Sequence, residues 1–104
     1  TDAPATASIV FGAGGTDLPV TADGDVEKVA RRLLQDPALR VQVRAYADGA
    51  DEANKRQVSL HRALSVRSAL IDEGVRSTRI AVQALGGETR TNPRDRVDLV
   101  VMRS

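Results

Sequence analysis

The sequence has 104 residues, of which 41% are hydrophobic and 28% charged, with no Cys, one Phe and one Tyr. Its 15 basic and 14 acidic residues leave a formal net charge of +1, so it lacks the basic excess that is typical of a nucleic-acid-binding domain. Without Cys it has neither a disulfide nor a thiolate metal site, and no apolar run approaches the roughly 20 residues of a membrane span. We therefore expect one globular domain with an aliphatic core.

The first third of the chain predicts a linker, a strand and a helix. Residues 1–7 are small and contain Pro4, so we interpret them as a linker remnant and place the domain at 8–104. A β-prone run at 8–11 ends at a glycine-rich loop. Beyond Thr21, Asp23 and Asp25, three candidate N-caps, apolar residues recur with helical spacing until Asp36-Pro37 ends the pattern. The predicted stripe is Val26, Val29, Ala30, Leu33 and Leu34.

The rest of the chain predicts a strand, a long helix and two more strands. Residues 41–46 alternate with period two, as a half-buried strand does, and a helix from about 52 to 73 ends at Gly74. Strands follow at 79–85 and 96–102. We expect an α/β fold of order β-α-β-α-β-β, with a mixed sheet and both helices on one face: strands joined through a helix favour a parallel arrangement, and the last two favour an antiparallel one. The main stripe predicted for the second helix is Leu60, Ala63, Leu64, Arg67, Leu70 and Ile71.

The motifs of enzymes are missing from the sequence. His61 is the only histidine and sits inside the second helix, with no Gly-x-Ser-x-Gly elbow elsewhere, so we interpret it as a surface residue. The glycines at 12–15 lack the spacing of a phosphate-binding loop. Asp48, Asp51 and Glu52 cluster in a polar loop, where solvated acids are common. We predict no catalytic residue, no metal and no cofactor.

Asp48 and Arg62 are the residues most suggestive of a binding site. Asp48 follows the strand at 41–46 directly, and Arg62 lies between Val58 and Val66 on one helical face. An arginine in such a place covers apolar surface with its stem or is directed at an acid. The residues alone favour a structural Asp48–Arg62 ion pair and leave a ligand site open.

Several segments together resemble the OmpA-like C-terminal domain family, in matching order over about residues 8–102. The family motifs are G-H-T-D, then L-S-x-x-R-A-x-x-V, L-x-x-x-G-(I/V), R-I, G-x-G and finally N-R-R-V-(E/D). The matching segments are Tyr46-Ala47-Asp48-Gly49, Val58-Ser59-Leu60-His61-Arg62-Ala63, Leu70, Gly74-Val75, Arg79-Ile80, Ala84-Leu85-Gly86 and Asp95-Arg96-Val97-Asp98.

This resemblance implies a periplasmic domain that binds the peptide stem of peptidoglycan without covalent chemistry, as part of a larger envelope protein. By the family motifs, Asp48 accepts from the ammonium of diaminopimelate and Arg62 donates to its carboxylate, flanked by Tyr46, Ala47 and Gly49. Arg96 is a further donor at the rim. On this view Arg62→Ala abolishes wall binding at little cost in stability. Other envelope proteins are further partners, and contact with a membrane would require an upstream segment missing from this sequence.

Three departures from the family pattern keep an alternative open. Ala47 replaces the usual Thr, the span from Asp48 to Arg62 is one residue short, and Asp95 stands where the motif has its first Arg. The alternative is a degenerate OmpA-like domain that serves as a periplasmic protein-interaction module without binding wall. A wall hydrolase is disfavoured, because no nucleophile–base pair or metal set is present.

Overall fold

Two helices and a four-stranded sheet form the fold, which a computed structural model describes over residues 6–89 and 91–103. The predicted order β-α-β-α-β-β and the α/β class are confirmed. Short 3-10 turns at Val20–Ala22 and Ser77–Arg79 precede the first helix and the third strand. In chain order the elements are β1 (Ala7–Val10), α1 (Asp23–Gln35), β2 (Leu39–Ala45), α2 (Glu52–Asp72), β3 (Ile80–Ala84) and β4 (Arg96–Arg103).

The N-terminal limit of the fold lies slightly before the predicted one. Residues 1–5 of the predicted linker lie outside the described residues. Thr6 donates its amide hydrogen to the Leu99 carbonyl at 2.7 Å, and Ala7 already begins β1. Ala7 therefore belongs to the sheet, and Thr6 is hydrogen-bonded to its neighbouring strand.

The sheet is mixed, with the strand order β1-β4-β2-β3. β4 is antiparallel to both β1 and β2, and β3 is parallel to β2. The predicted directions are therefore confirmed, but β1 and β2 are not neighbours because β4 lies between them. The two central strands, each paired with a neighbour on both sides, contain the largest number of fully buried apolar residues. These residues are Val41, Val43 and Ala45 of β2 and Val97, Leu99 and Val100 of β4.

Both helices pack on one face of the sheet over a single aliphatic core. The alternation predicted for β2 is confirmed, since Val41, Val43 and Ala45 are fully buried beneath the helices. In α1 four of the five predicted stripe residues are buried, whereas Leu34 is largely exposed. α1 ends at Asp36-Pro37 as predicted.

The stripe predicted for α2 is confirmed at Ala63 and Leu70, which are fully buried, but its centre is wrong. Leu60, Leu64 and Ile71 are 41%, 42% and 38% exposed. The face turned to the sheet lies one residue back, a rotation of about 100°. A search for apolar spacing missed this face, because two of its members are a serine and an arginine that find polar partners inside the protein. The buried residues are Ser59, Arg62, Ala63, Val66 and Leu70.

The helix ends also differ from the prediction at one point. No side chain caps α1: its N-cap is Ala22, and Asp23 lies in the first turn, where a carboxylate favours the helix dipole instead. α2 is capped by Asp51, whose Oδ1 accepts from the Asn54 amide at 2.8 Å. Gly74 follows α2 with φ of 101°, a conformation open to glycine. Over the described residues, neither helix is long and apolar enough to cross a membrane.

Candidate functional site

A groove of about 510 Å³ opens where β2 ends, between the first turns of α2 and the loop after β1. Two carboxylates, those of Asp48 and Asp95, and the amide of Asn54 provide its polar side chains. The remaining lining residues are small or apolar: Ala13, Gly14, Gly49 and Val58. Among the described lining residues there is no cationic side chain and no histidine.

Backbone hydrogen bonds hold the chain leading to Asp48 in place beyond the end of β2. The Tyr46 amide donates to the Arg96 carbonyl at 2.8 Å, and the Ala47 amide donates to the Gly86 carbonyl at 2.8 Å. Gly86 in turn donates its amide hydrogen to the Ser59 hydroxyl of α2 at 3.0 Å. The two residues between the end of β2 and Asp48 are thus fixed by hydrogen bonds to neighbouring segments.

Asp48, which the family resemblance assigned to ligand binding, is exposed and lines the groove. Its Oδ1 accepts from the Gly49 amide at 3.0 Å, and no hydrogen bond to its Oδ2 is present among the described residues. A Cβ at Gly49 would collide with the Asn54 side-chain oxygen, so glycine lets the loop approach α2 closely. The carboxylate of Asp48 is therefore exposed to solvent on the groove.

Arg62 lies beneath this groove rather than in it, with a side-chain exposure of 0%. Its Nε donates to the Gly15 carbonyl at 2.6 Å, Nη2 to the Gly12 carbonyl at 3.0 Å, and Nη1 to the Tyr46 carbonyl at 3.0 Å. Nη1 also donates to Asp95 Oδ1 at 2.9 Å. The predicted Asp48–Arg62 ion pair is therefore wrong: the acid that Arg62 meets is Asp95.

The glycine-rich loop after β1 explains why an arginine is tolerated at this buried position. A turn closes with the Gly15 amide donating to the Gly12 carbonyl at 2.9 Å, and Gly14 adopts φ of 72°, which favours glycine. The carbonyls of Gly12 and Gly15 then face the guanidinium, and the Phe11 ring lies 5.1 Å from it. The loop therefore binds a cation of its own chain, and a charge is buried with its partners satisfied.

Asp95 is the site residue that the sequence reasoning missed. Its Oδ1 accepts from both Arg62 and the Asp48 amide, the latter at 3.1 Å, and its side chain is 23% exposed. Its backbone is fixed as well, since the Phe11 amide donates to the Asp95 carbonyl at 2.9 Å. The signal was present in the sequence, because an acid stands where the family motif has arginine.

The other predicted site residues divide between the groove and its surroundings. Gly49 lines the groove beside Asp48, whereas Tyr46 and Ala47 are buried behind it. Arg96 stacks over the Tyr46 ring at 4.4 Å and does not line the groove. Its guanidinium donates to other groups, namely the Asp98 carboxylate, the Thr89 hydroxyl and the carbonyls of Thr91 and Pro93.

Comparison with known families identifies the family of the domain that contains this groove. The OmpA family model matches residues 10–98, which include both sides of the groove. The chain belongs to the OmpA family. Its match runs from the end of β1 into β4, so Asp48, Arg62 and Asp95 all fall inside the family's domain. The comparison with curated protein sequences gave no match.

Solved structures of this family share the fold at low sequence identity. The OmpA-like domain of FopA1 from Francisella tularensis superposes with a TM-score of 0.82 at 16% identity, over 92% of this chain and 71% of that one. The peptidoglycan-associated lipoprotein from Burkholderia pseudomallei gives 0.81 at 19% identity, over 91% and 89%. The C-terminal domain of Helicobacter pylori MotB gives 0.77 at 14% identity, over 94% and 85%. At these identities the likeness establishes the fold.

Proposed function

We propose that this OmpA-family domain binds peptidoglycan non-covalently and thereby holds an envelope protein to the cell wall, on the outer side of the cytoplasmic membrane. The observation that carries the proposal is the exposed carboxylate of Asp48 on a groove inside the family's domain. The printed name of one structural relative, a peptidoglycan-associated lipoprotein, supports the choice of ligand.

The proposed contact is between the groove and the diamino acid of the stem peptide, such as diaminopimelate. An ammonium group donates charge-assisted hydrogen bonds to carboxylates, and Asp48 and Asp95 both line the groove. Gly49 and Asn54 shape the wall beside Asp48. In this arrangement Arg62 supports the groove from beneath and orients Asp95, while Arg96 holds Tyr46 from the opposite side.

Binding without covalent chemistry is in keeping with the residues present. The described lining residues include no Ser, Cys, Lys or His that would serve as a nucleophile or a base. No group of three or more His, Cys, Asp or Glu side chains within 6–89 and 91–103 is arranged to hold a metal ion. The groove therefore has the means to hold a charged group and to release it unchanged.

A protein-interaction module without wall binding is the second candidate. The observation in its favour is that Arg62, the residue the family resemblance assigned to the ligand carboxylate, has no exposed surface. The exposed apolar side chains of Leu60 and Leu64 on α2 add surface that a protein would cover. This candidate predicts binding that is independent of Asp48.

Cosedimentation with purified sacculi, prepared in parallel from diaminopimelate-type and lysine-type walls, tests the proposal directly. We expect the wild-type domain to pellet with sacculi, and Asp48→Ala to weaken the apparent affinity at least about tenfold, because one charge-assisted contact is lost. Asp72→Ala is the matched control: it removes the same charge at the far end of α2, about 21 Å along the helix from Val58. Wild-type protein that stays in the supernatant, or equal binding by Asp48→Ala, would contradict the proposal.

A further inference from the structure

We infer that the groove selects a stem-peptide side chain that ends in an ammonium group without a free carboxylate beside it. Such ends are found in lysine and in diaminopimelate whose side-chain carboxyl is amidated, whereas free diaminopimelate ends in a zwitterion. This inference rests on the proposed function, since it concerns which peptidoglycan the same groove takes.

The first step is that the buried arginine has no donor to offer a ligand. A guanidinium has five N–H groups, and four of those of Arg62 already donate to Gly12, Gly15, Tyr46 and Asp95. With an exposure of 0%, its remaining N–H does not reach the groove. A ligand carboxylate could bind it only by replacing Asp95.

The second step is that Asp95 is held where it is. Its Oδ1 accepts from Arg62 Nη1 at 2.9 Å and from the Asp48 amide at 3.1 Å, and the Asp95 carbonyl accepts from the Phe11 amide. These three bonds come from three different segments of the chain. An entering carboxylate therefore meets a second carboxylate, already paired with Arg62, in the place where the family motif provides a positive charge.

The third step is that no other described cation compensates. Arg96 donates to Asp98, Thr89 and two backbone carbonyls on the other side of Tyr46. Lys55 pairs with Glu52 at 3.2 Å. Arg94 is exposed but is not among the residues that line the groove. Two carboxylates and one amide remain as polar side chains in the groove, and this set favours an ammonium and repels a carboxylate.

Titration with three synthetic stem tripeptides tests this selectivity. The peptides share L-Ala–D-Glu and differ in the third residue: L-lysine, amidated diaminopimelate or free diaminopimelate. Amide NMR shifts of the wild-type domain give the three dissociation constants. We expect the lysine and amidated peptides to bind at least about tenfold more tightly than the free one, because juxtaposed like charges weaken binding by about this factor or more.

Two variants identify the source of the selectivity. Asp95→Asn keeps an acceptor toward Arg62 but removes the charge, so we expect it to bind free diaminopimelate more tightly and to bring the affinity ratio toward one. Arg94→Ala should leave unchanged the ratio of the affinity for the lysine peptide to the affinity for the free diaminopimelate peptide. If that ratio instead rises because free diaminopimelate binds more weakly, Arg94 contacts the ligand carboxylate and the inference is overturned.

The outcomes separate this inference from the proposed function. Equal binding of the three peptides, or tightest binding of free diaminopimelate, would overturn the selectivity while leaving wall binding intact. No binding of any peptide at millimolar concentration, together with no cosedimentation, would remove the proposed function itself. The wild-type comparison needs no variant, so it stands even if Asp95→Asn does not fold.

Discussion

The two walls of the groove differ in what their charged groups do. In the inner wall, which is Asp95 with Arg62 beneath it, Asp95 Oδ1 and four N–H groups of Arg62 are already bonded within the protein, and the guanidinium is fully buried. In the outer wall, Asp48 and Gly49, the carboxylate is exposed and accepts from a single adjacent amide among the described residues. Arg62 and Asp48, which the family resemblance assigned to one ligand, thus lie in different environments: Arg62 is buried and bonded within the protein, and Asp48 is exposed on the groove.

Arg62→Ala, in the inner wall, should lose the most stability of all the variants considered. This change leaves Asp95 and three carbonyls without their buried donor, and removing one member of such a pair costs about 3 kcal/mol. We expect the free energy of unfolding, measured by urea denaturation, to fall by that amount. The sequence had suggested the opposite, a loss of wall binding at little cost in stability.

Arg56→Ala is the control for this measurement, because Arg56 is an exposed arginine on the same helix. Its unfolding free energy should stay within about 0.5 kcal/mol of the wild type. An Arg62→Ala protein that is as stable as Arg56→Ala and has lost sacculus binding would indicate that Arg62 contacts the ligand. The proposed difference between the two walls would then be wrong.

A smaller loss of stability is expected from Ser59→Ala. This change removes the hydrogen bond that holds Gly86, and Gly86 fixes the chain just before Asp48. The buried Ser59 hydroxyl accepts from the Gly86 amide and donates to the Arg56 carbonyl at 2.9 Å, and Gly86 holds the chain at Ala47. Leaving a buried amide unpaired costs about 2 kcal/mol. Urea denaturation should detect this loss, and Ser68→Ala, an exposed serine of α2, should change stability little. A Ser59→Ala protein as stable as Ser68→Ala would show that this link does not support the loop.

Local patterns in the sequence were enough to predict the elements and their order. The alternation in β2, the stop at Asp36-Pro37 and the glycine after α2 are each decided by neighbours in the chain, and each was confirmed. The order of strands in the sheet was not predictable in the same way. β4 inserts between β1 and β2, and this pairing depends on the apolar residues of distant segments.

The inner wall was missed for a related reason. Apolar spacing identifies a buried helix face only when that face is apolar, and the buried face of α2 contains Ser59 and Arg62. What permits their burial is supplied by partners far along the chain: Asp95 is 33 residues from Arg62, and Gly12 is 50 residues away. The family motif drew attention to Arg62, but it did not indicate that an acid at position 95 would occupy its donors.

Asp48→Ala, in the outer wall, should lose the least stability of these variants, and it tests whether the carboxylate of Asp48 has any role in the fold. Asp48→Ala removes one exposed hydrogen bond to the adjacent Gly49 amide, so the free energy of unfolding should change by less than about 0.5 kcal/mol. Measured by urea denaturation alongside Arg62→Ala, the two variants should differ by several-fold in their cost. If Asp48→Ala costs as much as Ser59→Ala, Asp48 supports the fold and its loss of sacculus binding would no longer indicate a direct contact. If its stability is unchanged and binding is lost, the carboxylate of Asp48 acts on the ligand alone.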